Sequence, residues 1–146
     1  TLVGAFGIMQ AQQASLHTPS LMAHVHRQVT FELVLLVLDA GYSIALHDHP
    51  HGCGISVCKQ GKATVAKYDL AGSETDLSLR LRSRSIIRPT ETGTLTDQAG
   101  NIHTISAMQS TQIVDVFSPP RSAGFHWYKT QPDSADPSTL RVTSVS

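Results

Sequence analysis

The spacing of apolar residues changes near residue 30. Upstream, Leu2, Phe6 and Met9 recur at helical intervals, although Gly4 and Gly7 weaken that stripe. Thr18-Pro19-Ser20 supplies a cap and a first-turn proline, so a second short helix is expected there, with Leu21, Met22 and Val25 on its buried side. Downstream the rhythm becomes that of strands. Phe31 to Asp39 is almost continuously apolar, the pattern of a strand buried on both faces. Tyr42 to His49 follows the Ala40-Gly41 turn, and Ile55 to Lys59 with Lys62 to Leu70, joined at Gln60-Gly61, reads as a hairpin. Leu77, Leu79 and Leu81 share one side of a strand whose other side carries Arg80, Arg82 and Arg84, which predicts a half-buried strand with a wet outer face. Ile102 to Ala107, a return strand Gln112 to Phe117, an aromatic strand Phe125 to Lys129 and a closing strand Leu140 to Val145 complete the series. About nine short strands with regular turn signals predict an all-β sandwich or barrel. The expected organisation is a β domain over residues 29–146, preceded by a helical or irregular extension over residues 1–28.

Composition narrows the function classes. The 146 residues suit one domain, large enough to bury its core without disulfides. The 11 basic residues balance 11 acidic ones, so no basic field attracts nucleic acid or a membrane surface. The arginine row is expected to be a solvated face, because no aromatic residues interleave it. Leu33 to Leu38 is far too short an apolar run to span a bilayer, and no charged-then-apolar leader opens the chain. Cys53 and Cys58 would face opposite sides of one strand and could not bridge. Reduced thiols point to a cytoplasmic protein, expected to be a monomer acting on small partners. The outlying number is the 8 histidines.

Leu46-His47-Asp48-His49-Pro50-His51-Gly52 concentrates histidines in one place. On an extended strand His47 and His49 aim to one side and Asp48 to the other. Pro50 then ends regular pairing. Two imidazoles on one face make half of a metal site, and His103 in Gly100-Asn101-Ile102-His103 is the best third donor. The plainer reading keeps these three as hydrogen-bonded polar residues. His17, His24 and His26 are expected at the surface or packed on a helix.

Several segments together carry a family resemblance. Ser43-Ile44-Ala45-Leu46-His47-Asp48-His49-Pro50 is similar to the "IPLHDHP" segment of the cysteamine dioxygenase and plant cysteine oxidase family of thiol dioxygenases. Gly61 falls where that family turns its next hairpin, and Gly100-Asn101-Ile102-His103 resembles its "GN(I/L)H" segment. Val114-Asp115-Val116 followed by Pro119-Pro120 resembles "LDVxxPP", and His126-Trp127-Tyr128 resembles "HYY". The resemblance implies a cupin, a small double-stranded antiparallel β-barrel, holding a mononuclear Fe(II) on His47, His49 and His103. It implies O2 as one substrate, and cysteamine or a Cys-initiated peptide as the other, with a sulfinic acid as product. Three neutral imidazoles would leave the ion its full charge, which favours thiolate over thiol. Asp115 carries over as a catalytic candidate, either orienting a ligand histidine or pairing with the substrate amine. Tyr128 is the second candidate, either donating to bound oxygen or serving as a core aromatic with a hydrogen-bonded hydroxyl.

The chain departs from the pattern in three places. His51 stands where the family has Gly and is expected to lie in water. Arg121 stands where the family has Tyr after its Pro-Pro pair, which disfavours a protonated substrate amine near the mouth. Phe125 and Trp127 occupy positions where some members crosslink Cys to Tyr, so that crosslink is impossible. Cys53 is expected to be a small packing residue near the metal face. Two further readings therefore remain open: another cupin metalloenzyme acting on a non-thiol substrate, and a non-catalytic cupin that binds metal or a small ligand.

Overall fold

The computed structural model describes residues 20–96, 99–120 and 125–146, with side chains from residue 26 onward. In chain order the strands are β1 Ser20–Arg27, β2 Glu32–Leu38, β3 Ser43–His47, β4 Cys53–Gln60, β5 Ala63–Ser73 and β6 Asp76–Ile87. They continue as β7 Thr92–Leu95, β8 Ile102–Ala107, β9 Thr111–Ser118, β10 Tyr128–Pro132 and β11 Thr139–Val145. Two antiparallel sheets form, in the orders β1-β2-β9-β4-β7 and β10-β11-β6-β5-β8-β3. Among the described residues no helix is long and apolar enough to cross a membrane.

The inner faces of the sheets share one core. Val34, Leu36 and Leu38 of β2, Ile113 and Phe117 of β9, and Cys58 of β4 meet Ala63, Ile105 and Ala107 from the other sheet. The opposite face of β2 and β9 is also apolar, with Leu33, Leu35 and Val114 buried there, which is why Phe31 to Asp39 shows no alternation. A second core forms behind the six-stranded sheet, where Ala66, Tyr68, Leu79 and Ile102 pack with Leu81, Tyr128 and Leu140. That sheet curls until its two ends nearly meet, at an isolated bridge between His47 and Trp127. The result is a nearly closed antiparallel barrel, as expected.

Three local expectations are corrected. Ser20–Arg27 is a strand and not part of a helix: it pairs antiparallel with β2, Leu21 opposite Val37 and Ala23 opposite Leu35. The unpaired backbone edge of β2 has to be satisfied, and that demand outweighs local helix preference. The helical stripe at Leu2, Phe6 and Met9, and the cap at Thr18-Pro19, lie outside the described residues. β4 and β5 do not form a hairpin. β4 pairs with β7 and β9, whereas β5 pairs with β6 and β8. The Gln60-Gly61 turn therefore carries the chain from one sheet to the other, with Gly61 at a φ of 85°. β9 likewise returns to β2 and β4 and not to β8. β7 has no counterpart in the sequence reading. Arg80, Arg82 and Arg84 are exposed as expected, and Arg82 pairs with Asp69 at 2.9 Å.

Candidate metal centre

His47, His49 and His103 converge. One ring nitrogen from each lies within 4.8 Å of the other two, and all three residues are buried, at 5%, 5% and 3% exposure. Each arrives by a different device. β3 carries an irregularity in its pairing with β8 between Ile44 and His47. A bulge shifts side-chain parity. Ile44 packs on the inner core and Leu46 on the rear core, yet His47, three residues after Ile44, is again on the inner side. On β8 His103 lies directly opposite His47 across the pair, and the two ring centroids are 4.4 Å apart.

His49 lies beyond the end of β3, so strand alternation does not place it. Asn101 does. The His49 backbone N–H donates to Asn101 Oδ1 at 2.7 Å, and Asn101 Nδ2 donates to the His49 carbonyl at 3.0 Å. An amide can satisfy a donor and an acceptor together, which makes Asn suited to this two-point grip. The turn that follows has Gly52 N–H donating to the His49 carbonyl at 3.2 Å, with His51 in the left-handed region at a φ of 58°. That conformation explains why the family pattern carries Gly at this position. His51 itself is exposed.

The ring tautomers follow from the partners. His47 Nδ1 faces the Ala45 carbonyl at 2.9 Å, and His103 Nδ1 faces the Asn101 carbonyl at 3.0 Å. A carbonyl only accepts, so both Nδ1 atoms carry the proton and both Nε2 atoms keep a lone pair. This is the arrangement that a carbonyl bound to one ring nitrogen imposes on metal-binding histidines. Burial, followed by the nearby His47, lowers the His103 pKa to about 3 from an ordinary 6.5. His103 is therefore neutral at physiological pH, as a ligand must be. Three buried imidazoles, two of them with rings oriented by backbone carbonyls, suit a divalent transition ion.

Aromatic rings surround the trio. Phe117 stacks on His49 at 4.7 Å, Phe125 meets His47 and His49 edge-on at 5.3 and 4.9 Å, and Trp127 lies 5.0 Å from His47. A narrow cavity reaches His103 from between the sheets, lined also by Ser56, Lys67, Thr94 and Ile113. Lys67 Nζ donates to the Thr94 carbonyl across that gap. Burial, with Arg82 nearby, lowers the Lys67 pKa.

Asp115 is buried on β9 between Val34 and Ser56 of the neighbouring strands. It shares a strand face with Ile113 and Phe117, both in the inner core, so its carboxylate is on the side of the imidazoles. Tyr128 lies elsewhere: its hydroxyl donates to Asp48 Oδ2 at 2.9 Å, and its ring lines an outer groove with Asp48, His51, Tyr68 and Asp69. Burial and the Asp48 carboxylate raise the Tyr128 pKa. Cys53 is exposed and Cys58 buried on opposite faces of β4, so the packing role expected for Cys53 belongs to Cys58. His26 is exposed beside Phe31. His17, the His24 side chain and Arg121 lie outside the described residues. The sequence reading quoted Asn101, Phe117 and Asp48 without seeing their parts. The signal for Asn101 was an amide two residues before His103.

The PCO_ADO family model matches residues 7–139. Among solved structures, the chain is similar to an uncharacterized conserved protein with a double-stranded β-helix domain from Klebsiella pneumoniae, with a TM-score of 0.59, 18% identity, and 77% of this chain and 81% of that one covered. KdgF from Halomonas sp. matches with a TM-score of 0.55 and 19% identity over 71% and 82% of the two chains. An RmlC-like cupin protein from Desulfovibrio desulfuricans matches with a TM-score of 0.54 and 17% identity over 69% and 83%. At such identities these structures speak for the fold alone, which is that of a cupin.

Proposed function

Since this chain belongs to the PCO_ADO family, that of cysteamine dioxygenases and plant cysteine oxidases, we propose that it is a thiol dioxygenase holding Fe(II) on His47, His49 and His103. The observation that carries the reading is the trio itself: three buried imidazoles within 4.8 Å, with no carboxylate among them. Bound ferrous iron would supply a charge that favours thiolate and a path for electrons from sulfur to O2, with both oxygen atoms ending on sulfur as a sulfinic acid. The chain's own contribution is arrangement. The Ala45 and Asn101 carbonyls hold the Nδ1 protons of His47 and His103 and so aim Nε2 inward. Asn101 grips the His49 backbone. Phe117, Phe125 and Trp127 keep bulk water from the imidazoles.

We assign Asp115 to the substrate. Its inward place on β9, two residues before the ring that stacks on His49, suits a carboxylate meeting the ammonium of a small aminothiol or of an N-terminal cysteine. Tyr128, bound to Asp48, is assigned a positioning part and no contact with oxygen. We expect a cytoplasmic monomer that engages neither nucleic acid nor membrane. Support for this comes from the balanced charge and the two free thiols.

The test is anaerobic loading with Fe(II), then O2 uptake with cysteamine and with a Cys-initiated peptide. A gain of two oxygen atoms on the thiol is expected. Turnover of non-thiol substrates alone would favour a different cupin metalloenzyme, and tight metal binding without turnover a binding protein. His103→Ala should lose the metal and the activity while far-ultraviolet circular dichroism keeps its β signature. Full iron occupancy in that variant would remove His103 from the ligand set.

A further inference from the structure

Asp48 separates two ligand histidines yet faces away from them. Its side chain is 15% exposed and takes its bonds from one short segment. The His126 backbone N–H donates to Oδ1 at 2.9 Å, His126 Nδ1–H to Oδ2 at 2.9 Å, and the Tyr128 hydroxyl to Oδ2 at 2.9 Å. The Asp48 N–H in turn donates to the His126 carbonyl at 3.2 Å. Extended backbone sends alternate side chains to opposite sides. With His126 and Tyr128 held by the carboxylate, Phe125 and Trp127 are turned the other way, onto His47 and His49. Trp127 is 39% exposed while the two imidazoles are 5% exposed, so this strap lies between them and solvent. Trp127 also exchanges backbone bonds with Ser146 and bridges to His47, and Tyr128 pairs with Val145.

We propose that Asp48 is a positioning residue that clamps residues 125–128, and that the aromatic wall so held sets the approach to His47 and His49. The wall admits a slim aminothiol and turns away thiols with bulk near sulfur. The substrate half of this inference rests on the thiol dioxygenase reading; the clamp does not.

Trp127 is the single tryptophan of the chain, so its fluorescence reports the strap alone. In the metal-free protein, Asp48→Ala should shift Trp127 emission to the red and increase its quenching by acrylamide, with a cooperative thermal transition retained. Tyr128→Phe removes one of the bonds and should give a smaller shift in the same direction. In the iron-loaded protein, the ratio of KM for a bulky thiol to KM for cysteamine should fall roughly tenfold in Asp48→Ala. Unchanged emission and quenching in folded Asp48→Ala would overturn the clamp. Should that variant not fold, the same null result in Tyr128→Phe would overturn it. A shifted emission with an unchanged KM ratio would overturn the control of approach. A wild-type protein that oxidises no thiol would refute the catalytic reading, and the fluorescence would still decide the clamp.

Discussion

Asn101→Ala tests whether His49 is placed by side-chain bonding. The substitution deletes both bonds to the His49 backbone, at 2.7 and 3.0 Å. The carbonyl keeps its bond from Gly52. The N–H loses the Asn101 acceptor, in a residue that is 5% exposed. A buried donor left unmade costs about 1–3 kcal/mol, and the second bond adds roughly 1 kcal/mol. The metal-free variant should therefore lose about 3 kcal/mol, a fall in Tm of about 9 °C for a domain of this size. Freed of its grip, the loop can carry His49 away from His47 and His103, which keep their own carbonyl partners. Loss of such an outer partner weakens metal binding by about 10–100-fold. Urea unfolding of metal-free protein and an anaerobic Fe(II) titration measure the two quantities separately. A variant with the expected loss of stability but a metal Kd within a factor of about two of wild type would refute the reasoning, because His49 would then be set by something other than Asn101.

Two further predictions concern stability. The folded pKa of His103 is about 3, below its ordinary 6.5. As pH falls through 6.5 the unfolded chain takes up a proton that the folded chain refuses until about 3, so metal-free protein loses stability across that window and none above it. Crossing the whole window costs about 5 kcal/mol. Urea midpoints on either side of its upper edge check this, and a flat profile would contradict it. At Gly61, an added Cβ would sit 2.2 Å from the Ser110 carbonyl oxygen and 2.7 Å from Thr111 Cα, both backbone, at a φ of +85°. Gly61→Ala should cost more than about 2 kcal/mol, whereas His51→Gly, which relieves a left-handed histidine, should gain about 0.5 kcal/mol net of glycine entropy. Thermal melts giving the two variants the same sign would be inconsistent with this account.

The strands of the barrel are legible because alternation is local. Leu79 is fully buried beside the exposed Arg80, and β2 is buried on both faces, as the apolar pattern requires. The three candidate metal donors are legible because a ligand has to be a particular residue type, and His47, His49 and His103 stand in a recognisable order. What alternation leaves open is the partner of each strand. A two-residue rhythm at β4 and β5 fits a hairpin and a crossing between sheets equally well, since the face a side chain takes does not depend on which strand lies beside it. Ser20–Arg27 became a strand because β2 had an edge to fill. His47 and His49 meet for a reason different from the parity of a single strand. A bulge re-aims the first, and Asn101, 52 residues away in sequence, holds the second. The chemical identity of the site is thus written in single residues. Its convergence depends on hydrogen bonds and strand neighbours that exist only once distant segments have been brought together.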